Sequence, residues 1–350
     1  MAKAIENTKS TFPSPRFKPW ARFKPWVRKT IIILPVITVA ILLIVKYLLP
    51  QQSYPSVSKQ RKTLKNKPSI TPFRVLDSVQ IVDDLKFLSG DSCAGRQPGT
   101  KGHRLAVNRI LMRMRQSALD SFNSSLIQNF EGKIINMSLK GQNIVGWVRG
   151  TAHPDKFIVI SAHYDHIGKD ENGKIFYGAS DNASGSACLL ALAKHFKQYP
   201  HAYSLIFAAF DREESGMEGA TYFVENNSSD TLQPKIIFNL NLDMIARGTD
   251  RELFVSGISH NPSLKYIVDE LQQKTNSKIL MGHDRGGGYH DWTDKSDHYP
   301  FYEKHIPFLY LGTEDHPDYH KTTDSFDKID LNDYIENCNL AFQMLLAIKL

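Results

Sequence analysis

Apolar positions in this chain follow three different rhythms. From Ile31 to Leu49 the sequence is almost unbroken hydrophobe, interrupted by Pro35, Thr38 and Lys46. A membrane-spanning helix needs ~20 such residues, so this run predicts one span. From Gln51 to about Pro72 the chain turns polar and basic, which predicts a solvated linker. Beyond residue 73, short β-branched and aromatic runs alternate with segments of helical spacing. Strands are predicted over Lys156–Ala162, Tyr203–Phe210, Lys235–Leu242, Glu252–Ser256 and Ile306–Leu311, with two or three more within 124–148. Helices are predicted over Val75–Leu88, Leu105–Arg115, Ala183–Lys197, Gly216–Asn226, Pro262–Thr275 and Leu331–Ile348. Strand–helix alternation of this kind predicts an α/β fold, a three-layer α/β/α sandwich around a mixed, largely parallel sheet.

Charge sharpens the division. Residues 1–30 carry eight Lys/Arg against Glu6, and residues 31–70 carry six more with no acid. Residues 71–350 are therefore net −6 although the whole chain is +7. An acidic globular part argues against nucleic-acid binding. The basic surplus before the apolar run instead predicts a cytoplasmic N-terminus and a globular domain on the periplasmic or extracellular side of a cell inner membrane. The expected organisation is a basic cytoplasmic tail over 1–30, a signal-anchor over 31–49, a linker over 50–72 and a globular domain over 73–350. A cleaved signal peptide is the alternative for the apolar run. The three cysteines, Cys93, Cys188 and Cys338, form no CxxC pair, so no cysteine metal site is indicated and buried free thiols are expected.

Polar residues with chemical potential sit where apolar runs stop. His163 and Asp165 end the strand FIVISA, and Asp181 lies in Gly178–Gly185, which opens an apolar helix. Glu213 and Glu214 follow SLIFAAFD, and Asp243 ends IIFNLNL. His316 and His320 occupy a C-terminal loop. Strand ends of an open α/β sheet are where functional groups collect. Adjacent carboxylates at a bend offer one metal ligand and one general base, although a solvated acidic first turn has the same sequence. A carboxylate inside a run as apolar as that around Asp243 must be coordinated or paired, for example with Arg247. Asp165, two residues from His163, is placed to orient its imidazole. Together, two histidines and three carboxylates match the donors of a two-metal hydrolytic site.

The ordered segments HYDH, GASDNASG, DREESGMEGA, NLDM, SDHYPF and DYHKTTD, with Gly95-Arg96 through Gly102 before them, resemble metallopeptidase family twenty-eight, of the aminopeptidase Y and bacterial leucyl aminopeptidase type. The resemblance covers about Phe73 to the C-terminus. It implies two zinc ions per chain, with His163, Asp181, Glu214, Asp243 and His320 as metal ligands and Asp181 as the bridge. It implies Glu213 as the general base that takes a proton from a metal-activated water, Tyr319 as a stabiliser of the tetrahedral intermediate, and Asp165 and Asp297 as supporting residues. It also implies a cis Asp181–Asn182 peptide and, as substrates, peptides with a free N-terminus. Ser180 and His305 depart from the family pattern, where an Asp and a Gly are usual, and are expected to alter pocket shape. A single-zinc glutaminyl cyclase and a non-catalytic binding ectodomain share the architecture and are the alternatives.

Overall fold

Strand β4 (His153–His163) explains why the central runs carry no polar alternation. Its Ile158, Ile160 and Ala162 enter one hydrophobic cluster, whereas Phe157 and Val159 enter another. Neighbouring β5 (Tyr203–Phe210) does the same, with Leu205, Phe207 and Ala209 on one side and Ile206, Ala208 and Phe210 on the other. A strand covered on both faces has apolar residues on both. These facts come from a computed structural model of the chain, which describes residues 54–64, 75–134, 137–227, 235–285 and 290–350. The basic tail and the expected membrane segment at 31–49 lie outside the described residues. Among the described residues no helix is long and apolar enough to cross a membrane.

Among the described residues the sheet has nine strands. At one edge, β1 (Asp120–Ser121) and β2 (Ile127–Ile134) both pair antiparallel with β3 (Met137–Val148). β3 runs antiparallel to β5, and β5, β4, β6 (Lys235–Leu242) and β9 (Phe308–Gly312) then run parallel. β9 pairs antiparallel with β7 (Glu252–Ser256), and β7 pairs parallel with β8 (Lys278–Met281), which forms the other edge. The expected mixed sheet is present, but its parallel part is the centre rather than most of its width.

Helices cover both faces. α2 (Ser78–Leu88), α3 (Lys101–Gln116), α4 (Gly185–Gln198), α6 (Lys265–Leu271) and α8 (Leu331–Ala347) pack on one. α5 (Glu218–Asn227) and the short α7 (Tyr299–Glu303) pack on the other through Ala220, Phe223, Val224 and Phe301. The stretch expected to be a solvated linker contains a further helix, α1 (Val57–Leu64). Its sequence, VSKQRKTL, has no apolar stripe, and tertiary polar contacts hold it: Arg61 pairs with Glu252 at 2.8 Å. α3 starts four residues earlier than its apolar spacing suggests because Thr100 caps it, accepting from the His103 N–H. α6 is shorter than expected and follows a 3₁₀ turn at Pro262–Leu264. The short β8 and α7 are too brief to show a period in sequence.

α4 begins at Gly185, two residues later than expected, because Asp181 and Asn182 have non-helical backbone. Here glycine has a packing reason. A Cβ at Gly185 would lie 2.2 Å from the Leu242 carbonyl oxygen at the end of β6. The helix start thus comes close enough to the strand end to set Asp181 beside Asp243. Gly185→Ala is expected to destabilise the chain by about 1–3 kcal/mol, read as a lower urea midpoint with unchanged slope.

Candidate metal centre

The parallel order β5–β4–β6 aligns three strand ends, and each carries chemistry. β4 delivers His163 and then Asp165 and His166, β5 leads into Glu213 and Glu214, and β6 into Asp243. Asp181 comes from the irregular turn before α4, and His320 from the loop after β9. Gly178, at φ +55°, makes that turn possible, since a Cβ there would sit 2.1 Å from the Asp181 carbonyl oxygen. The Asp181–Asn182 peptide is cis.

All five expected ligands converge. Asp181 Oδ1 lies 3.3 Å from His163 Nε2, and Asp181 Oδ2 lies 3.1 Å from His320 Nε2. His163 Nε2 is also 3.4 Å from Asp243 Oδ1, and His320 Nε2 is 3.4 Å from Glu214 Oε2. The two oxygens of one carboxylate therefore face two separate donor sets. His163, Asp181 and Asp243 form one group able to hold a metal ion; His166, Asp181 and Glu214 form another, with donor atoms within 4.8 Å of one another. Imidazole nitrogen and carboxylate oxygen are suitable zinc donors. Among the described residues, the ion-pair partners of Asp181, Glu213, Glu214 and Asp243 are all histidines. Four crowded carboxylates without a Lys or Arg partner create the charge deficit that cations would fill.

The titration shifts report the same crowding. Burial works against ionisation of Asp181, but His163, His166 and His320 hold its carboxyl well below the usual range. Burial also opposes the charge on His163, yet Asp243 and Glu213 raise its pKa well above the ordinary value. Glu213 is pushed far up, first by burial and then by nearby carboxylates, an effect that His163 only partly offsets. Asp297 is raised mainly by burial, and neither of its carboxylate oxygens has a hydrogen-bond partner.

Several buried residues fix the ligand loops. The Arg96 guanidinium donates to the carbonyls of Leu88, Tyr164, Tyr177, Gly178 and Asp181, at 2.8–3.2 Å. Asn182 donates to the Leu242 carbonyl at 2.9 Å and accepts from the Met244 N–H at 3.3 Å, so it grips both neighbours of Asp243. Asp324, pushed up to about 6 by burial, accepts from the N–H groups of Ser180 and Asp181. A polar chain crosses the sheet from Asn239 through Ser161, Asn241 and Ser296, and ends with the Ser296 hydroxyl donating to Asp243 Oδ2 at 2.7 Å.

Some expectations need correction. Asp165 does less for His163 than its spacing suggests. Its carboxylate is 3.6 Å from Nδ1, its backbone oxygen 3.3 Å, and it accepts the Glu213 N–H at 3.0 Å. Asp165 therefore positions Glu213 at least as directly as the imidazole. Arg247 pairs with Asp318, not Asp243. His316 faces Arg247 rather than the cluster. Ser180 is buried and His305 is exposed on the turn into β9, and neither lines the central cavity. His305 adopts φ +57°, a backbone that favours glycine, so its departure concerns a turn, not a pocket. Cys93, Cys188 and Cys338 are buried free thiols, as expected.

The cavity above the cluster encloses about 460 Å³. Glu213 and Tyr319 line it, and Tyr319 stacks on His320 with ring centres 3.9 Å apart. Sequence reasoning missed Trp292, Tyr310 and His283 on its wall, and it missed His166. His166 is buried, with Nδ1 2.6 Å from Glu214 Oε1. Its position three residues beyond His163 at the same strand end was the available signal.

Two expectations test this scaffold. Arg96→Ala strands five carbonyls and should cost on the order of 3 kcal/mol or more, measured by chemical denaturation of the zinc-loaded chain. His166→Ala should weaken zinc at the Glu214 side by about tenfold or more in chelator competition. His166→Asn, which retains a donor near Nδ1, should restore part of that loss.

With this geometry in view, the likeness to known proteins is specific. The chain is 28% identical over 198 residues to aminopeptidase YwaD of Bacillus subtilis, covering 54% of this chain and 40% of that protein. It spans 18–53% of the length of the curated relatives it matches. In fold it resembles BSAP, a zinc aminopeptidase from Bacillus subtilis (TM-score 0.62, 16% identity, covering 78% of this chain and 95% of that one). It also resembles the glutaminyl cyclase of Tannerella forsythia (TM-score 0.64, 17% identity, 79% and 100%). Residues 143–345, more than half of the chain, match the model of Peptidase family M28, and the chain belongs to that family.

Proposed function

We propose that this chain is a zinc aminopeptidase, a metallo-exopeptidase that hydrolyses the N-terminal peptide bond of peptides. The observation that carries this reading is the Asp181 carboxylate, whose two oxygens face His163 and His320 in separate donor sets. In this reading His163 and Asp243 would hold one zinc, Glu214 with His320 and its neighbour His166 would hold a second, and Asp181 would offer one oxygen to each side. Zinc bound there would polarise the scissile carbonyl and make a water acidic enough to attack it.

The side chains supply the rest. Glu213 faces the cavity with its backbone N–H donating to Asp165, which suits a group that must take a proton from a water at the cluster. It removes the proton from the attacking water and returns it to the departing amine. Burial holds the Tyr319 phenol above its ordinary pKa, so it remains a hydrogen-bond donor toward the oxygen on which charge develops. The substrate's free α-amine would be held by carboxylates of the cluster or by the second metal, which selects the free N-terminus over an acylated one. Membrane attachment through residues 31–49 completes the proposal. It is supported by the apolar run and the Lys/Arg surplus before it, and it places the catalytic domain on the periplasmic or extracellular side.

His163 and Asp243 favour this reading over a single-zinc glutaminyl cyclase, because they form a second donor group with Asp181 for which a one-metal site has no use. The experiment assays full-length chain on dipeptides with free and blocked N-termini and counts zinc per chain. Two zinc ions and cleavage of free-amine substrates alone are expected. One zinc with cyclisation of N-terminal glutamine, or cleavage of blocked peptides, would overturn the reading. Glu213→Gln should lower kcat at least about a hundredfold while zinc content stays unchanged.

A further inference from the structure

The residues that build the outer wall of the cavity are held by a part of the chain outside the family-matched region. Trp292 and His283 stack face to face, with ring centres 3.8 Å apart and planes within 7°. The Trp292 N–H donates to the His283 carbonyl at 2.6 Å, and both rings line the cavity beside Glu314. His283 stands just past the end of β8, the edge strand of the sheet. An edge strand has backbone groups on one side that its own sheet does not satisfy.

The segment Tyr54–Leu64 covers that edge. The Gln60 side-chain amide accepts from the Met281 N–H at 2.9 Å and donates to the Met281 carbonyl at 2.8 Å, as a neighbouring strand would. Val57 lies against Gly282, where a Cβ would come within 3.0 Å of the Val57 methyl. Tyr54 donates its hydroxyl to Asp284, whose other oxygen accepts from the Gly257 and Ser259 N–H groups at 2.8 Å. The Arg285 guanidinium sits 3.9 Å over the Tyr54 ring. Arg61 reaches the remaining position indirectly. It grips Glu252, the first residue of β7, through two nitrogens and donates to Glu314 Oε2 at 3.1 Å. Glu314 Oε1 is 3.2 Å from His283 Nε2. Each residue from 281 to 285 is thus met by this segment directly or, at His283, through one carboxylate.

We propose that the Tyr54–Leu64 segment supports the substrate site from outside the cavity, and that Arg61 is a positioning residue which, through Glu314 and His283, sets the Trp292 wall against which a bound peptide rests. The inference builds on the peptidase reading. It assigns a role in substrate binding, remote from the zinc donors, to residues that precede the matched region. Gln60 ties the edge strand and Arg61 ties the ring pair, so their loss should loosen substrate binding and leave the proton chemistry at Glu213 intact.

The test uses full-length chain carrying Arg61→Ala, Arg61→Lys or Gln60→Ala. Hydrogen exchange of the amides at 281–285 reads the clamp without reference to activity, and zinc content and steady-state kinetics on free-amine dipeptides read its consequence. Arg61→Ala is expected to speed exchange there by about tenfold and to raise KM by about fivefold, with kcat within about twofold and zinc unchanged. Arg61→Lys, which can contact one carboxylate but not fork to two, should fall between. Gln60→Ala should show the faster exchange without altering charge, and it decides the matter if Arg61→Ala does not fold. Unchanged exchange in both alanine variants overturns the clamp. Faster exchange with unchanged KM overturns the role in binding. A wild-type chain that cleaves no peptide sinks the peptidase reading instead, and the exchange result still decides the clamp.

Discussion

Mutual repulsion among four carboxylates is the constraint around which this structure is arranged. Asp181, Glu213, Glu214 and Asp243 are drawn together, and among the described residues their ion-pair partners are histidines. Left to itself such a cluster would spread apart or take up protons. The surrounding framework resists the spreading. Arg96 gathers carbonyls from three loops, Asn182 ties the Asp181 turn to both neighbours of Asp243, and Ser296 fixes one Asp243 oxygen. Asn182 and Ser296 are neutral, and the Arg96 guanidinium directs its hydrogen bonds to backbone carbonyls, so the four carboxylates are held in place without a direct ion pair to Arg or Lys among the described residues. Their charge remains available to metal.

The sheet supplies the coarse placement that makes such fine restraint possible. Parallel β5, β4 and β6 bring three strand ends to one edge without intervening loops, and Gly185 lets α4 start against β6. Donor groups on rigid strand ends hold geometry better than donors on loops. Asp181, on the turn before α4, and His320 are the exceptions, and His320 is the more exposed. It comes from a loop, is 40% exposed, and closes the cluster from the solvent side.

Much of this was legible in the sequence, for a physical reason. A strand buried on both faces must be apolar, so a His or carboxylate at its end stands out against the run. That contrast exposed His163, Asp243 and the Glu213–Glu214 pair, while Asp181 and His320 were legible as members of the ordered segment set. It failed where stabilisation is polar and long-range. α1 carries no apolar stripe, and Gln60 and Arg61 owe their order to partners about two hundred residues away. His166 was hidden by proximity to His163, since two imidazoles at one strand end read as a single feature. Arg96 sat in a recognised segment, yet nothing in its neighbours shows that five carbonyls converge on it. Trp292 lies between short elements whose period cannot be read.

The two halves of the cavity therefore rest on different physics. The inner half stands on central strands, each paired on both sides and covered by two hydrophobic clusters, so its groups have little freedom to move. The outer half stands on β8, a four-residue edge strand that among the described residues pairs with β7 alone. Few pairing bonds and one open side make such a strand the place where local opening is least costly. An aromatic wall built there needs support from beyond the sheet, and α1 provides it by meeting the backbone of Met281 and the charge of Glu314. Change in α1 can then alter what the cavity accepts while the donors on β4 and β6 stay fixed, because two strands, β9 and β7, stand between β6 and β8 in the sheet. Chemistry and selectivity are separable in this fold to the extent that the sheet's centre and its edge are held independently.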